Sequence, residues 1–308
     1  IILINSAIWF HFLYHNGNPW IQKTSESSAD FNSMTYLFNL FLIIGTALFI
    51  LISLLKFFPK QTERSLQNLS LYDERDIMFA RNNLSSHPDL YKEYYESNPG
   101  KREIDDPIHQ KGNLSDPDKR YYDPYLTPVC DAAFRMLDEH RRHYKIETEP
   151  EISDIDPKKL SATLHYIGSI YGAVDIGITH LKPHHLYSHK GRHPEGWGKA
   201  VRNQHRYGIA IIVPMALEMI KKAPTIHTIL ESSKAYVESA KIAHLIETYL
   251  KGLGYDAKSH TDGNYETVCV PIAVDSGVGE LSRMGLLIHD KLGPSIRIAI
   301  VTTNAPLI

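Results

Sequence analysis

Tyr236, Arg297, a glycine turn at residues 277–283 and five closely spaced histidines have the types and spacing for chemistry in this chain of 308 residues. Tyr236 falls near the start of a helical pattern that opens at Ser233. Alone, it reads as a half-buried core tyrosine. Beside an arginine its phenol pKa would fall, because the cation favours phenolate, and a Tyr–Arg pair in a closed pocket is a sensible proton donor. Arg297 lies in a run that alternates as a strand should: Ile296, Ile298 and Ile300 point one way, and Arg297, Ala299 and Val301 the other. A guanidinium among apolar neighbours needs a partner. Either a carboxylate pairs with it as a structural device, or it faces a polar pocket.

The turn reads Gly277-Val278-Gly279-Glu280-Leu281-Ser282-Arg283. It has two glycines of a dinucleotide fingerprint but no third in register. Pro271 sits in the run before it, and no acidic partner follows at the expected distance, which disfavours a nicotinamide cofactor. A tight turn with close backbone approach to a large ligand, or a plain turn, remains. His180, His184, His185, His189 and His193 have metal-like spacing. Pro183, Gly191 and Pro194 make that stretch a loop, so no helix fixes the imidazoles on one face. A polar loop without a metal is expected, with ligand contact as the alternative. Cys130 and Cys269 are the two cysteines, far apart and outside any C-x-x-C motif. That argues against a disulfide framework and a zinc site, and fits buried thiols in a reducing compartment.

The elements that must position these groups follow from pattern. Asp156 and Pro157 open a helix in which Leu160, Leu164, Ile167 and Tyr171 recur at helical spacing. Strands are expected at 174–181, 209–214, 267–274 and 295–302, with a helix from Ser233 closed by Gly252 and Gly254. The order is helix, strand, strand, helix, strand, strand, an α+β (mixed α/β) arrangement. Residues 59–155 are rich in Asp, Pro, Tyr and charge and read as an irregular arm with short helices, one over 128–144. There Ala132, Ala133, Met136 and Leu137 form an apolar stripe. The formal net charge of −2 gives no general attraction to nucleic acid.

Residues 36–55 read YLFNLFLIIGTALFILISLL, with no charge between Phe31 and Leu55. Roughly 20 residues suffice to cross a bilayer as a helix. Asn39, Thr46 and Ser53 are tolerable because each can bond to its own helix or a neighbour. Residues 1–14 are a candidate partial span. Lys56, Lys60 and Arg64 follow the main run, whereas Lys23, Glu26 and Asp30 precede it, so the catalytic part is expected on the cytoplasmic side of a bilayer. The expected layout is an anchor over 1–58, the arm over 59–155 and an α/β core over 156–308. The chain opens at Ile1 within an apolar run and closes at Ile308 just after a strand-like run, so a fragment is expected.

Residues 71–81 (LYDERDIMFAR), Tyr91 to Tyr95 and Asp105-Asp106 resemble an N-terminal signature of the reductive dehalogenases. Residues 250–307, from LKGLGYDAKSHTDGNYE to LLIHDKLGPSIRIAIVTTNAPL, resemble that family's cobalamin-binding core. Epoxyqueuosine reductases share a looser version of the last part. The resemblance implies a nitroreductase-like core holding base-off cobalamin, with two [4Fe–4S] clusters bound by a segment beyond residue 308. It implies reductive dehalogenation of an organohalide, fed by a reduced electron donor. It places Tyr236 as proton donor, Arg297 as its cation and Asn264 in the pocket. His260, Gly277, Gly279, Glu280, Ser282 and Arg283 fall on cofactor-binding positions. The fragment alone is expected to be inactive. An epoxyqueuosine-reductase-like enzyme and a non-catalytic membrane-anchored corrinoid-binding protein are the alternatives.

Overall fold

The computed structural model of the chain describes residues 28–57, 71–113 and 116–308. Two compact units divide it, Ile1–Gln67 and Asn68–Ile308. In the first, Ser28–Phe57 forms one helix of 30 residues (α1). Side chains 36–51 are exposed, and the Thr46 hydroxyl donates to the Leu42 carbonyl, so this polar residue is satisfied within its own helix. Among the described residues no helix is long and apolar enough to cross a membrane. The expected span over 36–55 thus has no support from the fold. The candidate partial span over 1–14 lies outside the described residues.

In the second unit, the region read as an irregular arm is largely helical. It contains α2 (Met78–Asn83), α3 (Pro88–Ser97), α4 (Pro99–His109) and α5 (Leu126–His143). Proline opens both α3 and α4, where its missing N–H costs nothing. Leu84, Tyr94 and Tyr95 form a small core of their own, with Trp197 packed on it. On α5, Cys130 and Leu137 are buried, while Met136 of the expected stripe is exposed.

A four-stranded sheet follows: β1 (Asp175–His180), β2 (Tyr207–Pro214), β3 (Ala257–His260) and β6 (Ile296–Thr303), in the order β1-β2-β6-β3. Every pairing is antiparallel. Helices α6 (Pro157–Tyr171) and α8 (Ile226–Gly252) cover one face, preceded in the case of α8 by the short α7 (Leu217–Ile220). The Asp156 carboxylate caps α6 by accepting from the Lys158 and Lys159 N–H groups. Leu160, Leu164, Ile242 and Ile246 of these helices pack with Ile209, Ile211, Ala299 and Val301. The opposite face packs Ala210, Ile212, Ile296 and Ile300 against Ile272 and Ala273 of α9 (Cys269–Asp275). β2 is buried on both sides, which is why its sequence is continuously apolar rather than alternating. A separate hairpin joins β4 (Glu280–Leu281) to β5 (Leu287–Ile288).

The fold is mixed α/β, as the pattern implied. The strand expected over 267–274 is instead the helix α9. A short apolar run does not distinguish helix from strand, and Pro271 in the first turn is compatible with a helix. The helix read from Ser233 begins at Ile226, which places Tyr236 in the third turn and not the first.

Candidate active site

α8 lies across β2 and β6 and brings Tyr236 onto Arg297, which pairs in register with Val213 of β2. The Arg297 guanidinium carbon sits 4.0 Å from the Tyr236 ring centroid, a cation–π contact. Its Nη2 donates to Ser232 Oγ at 2.6 Å, one helical turn before Tyr236, and lies 3.9 Å from Met215 Sδ. Its Nε is buried without a hydrogen-bond partner. Among the described residues no carboxylate pairs with Arg297; the Tyr236 ring, Ser232 and Met215 are its neighbours. Phe134 of α5 packs edge-on against Tyr236 with centroids 5.6 Å apart.

The expected fall in the Tyr236 pKa does not occur. Burial raises it, and the opposing charge of Arg297 does not outweigh that burial. Tyr236 therefore holds its proton near neutrality.

Further groups surround the pair that sequence reasoning missed. Tyr265 follows Asn264, and its phenol is raised well above the usual range by burial, with Cys269, Tyr236 and Asp262 adding to the effect. Burial pushes the Cys269 thiol up to about 12, so it is no nucleophile at neutral pH. Arg192 Nη2 reaches Asp262 Oδ1 at 3.4 Å, and its guanidinium stands 5.4 Å from the Phe79 ring centroid. The position of Arg192 within the histidine loop was the available signal for it.

That loop is clamped by the 72–77 segment. Ser188 N–H donates to the Tyr72 carbonyl at 2.7 Å, and Glu74 N–H to that of His189 at 3.2 Å. Gly191 N–H donates to Glu74 Oε2 at 2.7 Å. Glu74 is 2% exposed, and burial raises its pKa against the pull of the Gly191 bond. A Cβ on Gly191 would collide with the Arg75 and Glu74 backbone, so only glycine allows this approach.

His184, His185 and Asp275 converge closely enough to hold a metal ion. Their bonds point elsewhere. His185 Nδ1 accepts the Lys182 N–H at 3.1 Å, which leaves the proton of the neutral ring on Nε2, 3.0 Å from Asp275 Oδ2. Lys182 Nζ holds that same oxygen at 2.6 Å. Burial drives the His185 pKa down to about 4.

His260 is enclosed completely. Nδ1 accepts the Glu266 N–H at 3.1 Å and Nε2 meets Thr302 Oγ1 at 2.9 Å, so both ring nitrogens are used inside the fold. Burial lowers its pKa to about 3. Gly277 closes α9 in a Schellman arrangement, with Val278 N–H bonded to the Ala273 carbonyl and Gly277 N–H to that of Val274, at φ 82°. Gly277, Gly279 and Glu280 line a cavity of about 470 Å³ with Asp175 and His289. Ser282 and Arg283 do not. Ser282 Oγ accepts the Met284 and Leu286 N–H groups at the hairpin turn, and Arg283 is exposed. Asn264 lines a different cavity, of about 730 Å³, beside β3. By register, Asp175 pairs with Ile212 and Ile212 with Ile298, so the glycine-turn cavity and the Tyr–Arg pair share one end of the sheet.

No family model matches the chain. Over 122 residues it is 34% identical to tetrachloroethene reductive dehalogenases of Desulfitobacterium hafniense and Dehalobacter restrictus, covering 40% of this chain and 22% of each relative. The matched part is thus less than a quarter of those relatives' length. In fold, a reductive dehalogenase described for B12-dependent dehalogenation aligns with a TM-score of 0.52 at 22% identity, over 61% of this chain and 27% of its own. A catabolic reductive dehalogenase in complex with 3-bromo-4-hydroxybenzoic acid aligns with a TM-score of 0.57 at 19% identity, over 79% and 32%. Over those 122 residues by sequence, and more broadly by fold, the chain is similar to reductive dehalogenases.

Proposed function

We propose that this chain forms part of an enzyme that replaces the halogen of an organohalide with hydrogen, and that Tyr236 supplies the proton. The observation that carries this reading is the Tyr236–Arg297 stack in a fold like that of reductive dehalogenases. Burial keeps the phenol protonated until it is needed. Arg297, fixed by Ser232, stabilises the negative charge left on Tyr236 Oη after transfer. Overall, two electrons and one proton enter, the carbon–halogen bond breaks, a carbon–hydrogen bond forms and halide leaves.

Base-off cobalamin would supply the low-potential reductant that no side chain offers. The residues present fit such a group at the glycine turn, where a Cβ on Gly277 would meet nothing within 4 Å on the wall of the cavity. There Gly277 admits close approach and Glu280 offers an acceptor to amide groups, whereas Gly279 makes room for the Ile288 carbonyl. His260, Ser282 and Arg283 do not line that cavity. Electron supply through two [4Fe–4S] clusters, held outside residues 1–308, rests on the resemblance. Membrane attachment through 36–55, with catalysis on the cytoplasmic side, rests on the sequence alone, and fractionation of cells decides it.

The test is anaerobic turnover of a chlorinated or brominated substrate by the full-length protein loaded with cobalamin and clusters. Tyr236→Phe should abolish halide release while the cobalamin absorbance is retained. Retained turnover in that variant, or failure of the wild-type protein to take up cobalamin, overturns the reading.

A further inference from the structure

The larger cavity, of about 730 Å³, lies at the β3 edge of the sheet, and the chemistry proposed above makes no use of it. Its size is that of a small-molecule site. Its walls come from α5, α8, β3 and the turns at 202–205 and 264–266.

Charge in this cavity is unevenly matched. Each carboxylate of the wall already has a cationic or imidazole partner. Glu247 takes Lys251 at 3.0 Å, Glu266 takes Lys258 at 2.6 Å, and Asp256 takes His205 at 3.2 Å. Lys145 and Arg202 also line the cavity, and among the described residues neither has an ion-pair or hydrogen-bond partner. The wall therefore presents surplus positive charge.

The second feature is flat and polar. The His140 ring stacks on Tyr144 at 4.1 Å and on His244 at 4.0 Å, spanning α5 and α8. His140 Nδ1 is buried with no hydrogen-bond partner. Burial beside His244 keeps that ring neutral. The side-chain amides of Asn264 and Asn304 also line the cavity and make no hydrogen bond among the described residues. Such amides serve as donors and acceptors alike.

We propose that this cavity binds a phosphate ester carried on a planar, hydrogen-bonding group, that is, a nucleotide-type ligand. Arg202 and Lys145 take the phosphate. His140, Asn264 and Asn304 read the polar edges of the planar part. Two sources share this chemistry: a free nucleotide, or the nucleotide tail of a corrinoid. The second source rests on the function proposed above; the first does not.

Calorimetric titration of the full chain separates them. The probes are AMP, adenosine and inorganic phosphate without corrinoid, and cobalamin against cobinamide, which lacks the nucleotide. For a free nucleotide, AMP should bind more tightly than either adenosine or inorganic phosphate. The pair Lys145→Gln and Arg202→Gln should weaken AMP by about tenfold or more and leave adenosine unchanged. Arg202→Lys should restore part of the loss. For a corrinoid tail, cobalamin should outbind cobinamide, with that preference lost in the double variant. If AMP is bound while cobalamin is not, the cavity assignment stands and the dehalogenation reading falls. If cobalamin and cobinamide bind equally and AMP does not bind, the assignment falls and the dehalogenation reading stands. AMP binding no tighter than that of inorganic phosphate, or unchanged by the double variant, overturns the assignment unless the cobalamin preference depends on Lys145 and Arg202.

Discussion

The guanidinium of Arg297 lies over the face of the Tyr236 ring, 4.0 Å from its centroid, and is held there by Ser232 from the same helix as the tyrosine. The proposed acid and its proposed cation are thus fixed to each other by α8 and β6, with no loop between them. Replacing Arg297 by Gln removes the one contribution that lowers the phenol pKa most strongly. The Tyr236 pKa should rise further, seen by ultraviolet difference titration, and halide release should fall by roughly 10²-fold. An unchanged titration would remove Arg297 from the proposed mechanism.

Acid should unfold the chain in two stages. His185 and His260 have folded pKa values of about 4 and about 3, below the ordinary 6.5. Their neutral forms favour the fold, so this stability is complete above pH 6.5 and is lost as pH falls toward those values. For His185 the shift amounts to on the order of 3 kcal/mol. Glu247 and Glu266, both held near 2 against an ordinary 4.5, extend the loss below pH 4.5. Denaturant midpoints between pH 7 and pH 4 measure the first stage. His185→Gln should flatten that part of the profile.

Gly191→Ala should destabilise the protein by about 1–3 kcal/mol, because the added methyl meets backbone and not a movable side chain. Chemical denaturation gives the number. Hydrogen exchange at Gly191 and Arg192 should quicken as the Glu74 clamp opens. Protection equal to wild type would show that the 72–77 segment does not hold this loop.

Zinc or a chelator should leave the melting temperature unchanged within a degree or so at low millimolar concentration. The His185 tautomer and the Lys182–Asp275 bond already occupy two of the three residues of the cluster. A melting temperature that climbs with zinc, and does not in His184→Ala, would reinstate a metal there.

Much of the frame was legible from pattern. The alternation around Arg297 was right because β6 is packed on both faces by different helices, so each set of side chains has its own core. The Tyr–Arg pairing required a long-range contact, which the resemblance supplied and periodicity did not. α9 was misread because a short run of Val, Cys, Ile and Ala suits either element. β3 was missed because Lys258 and His260 break the apolar signature, and their partners Glu266 and Thr302 are found only in space. Tyr265 gave no local sign, and Arg192 gave only its place in the histidine loop, whose shape comes from the 72–77 segment.

β6 carries Arg297 near its start and Thr302, the anchor of His260 and His205, near its end. Side chains on a strand alternate, so these two residues address opposite sides of one stiff beam about 17 Å apart. The Tyr236–Arg297 pair and the edge cavity are therefore set at a constant separation that no hinge can adjust. A single-residue insertion in the middle of β6 would turn every later side chain through to the other side. It would disconnect both regions at once, so this strand serves as a gauge of fixed length.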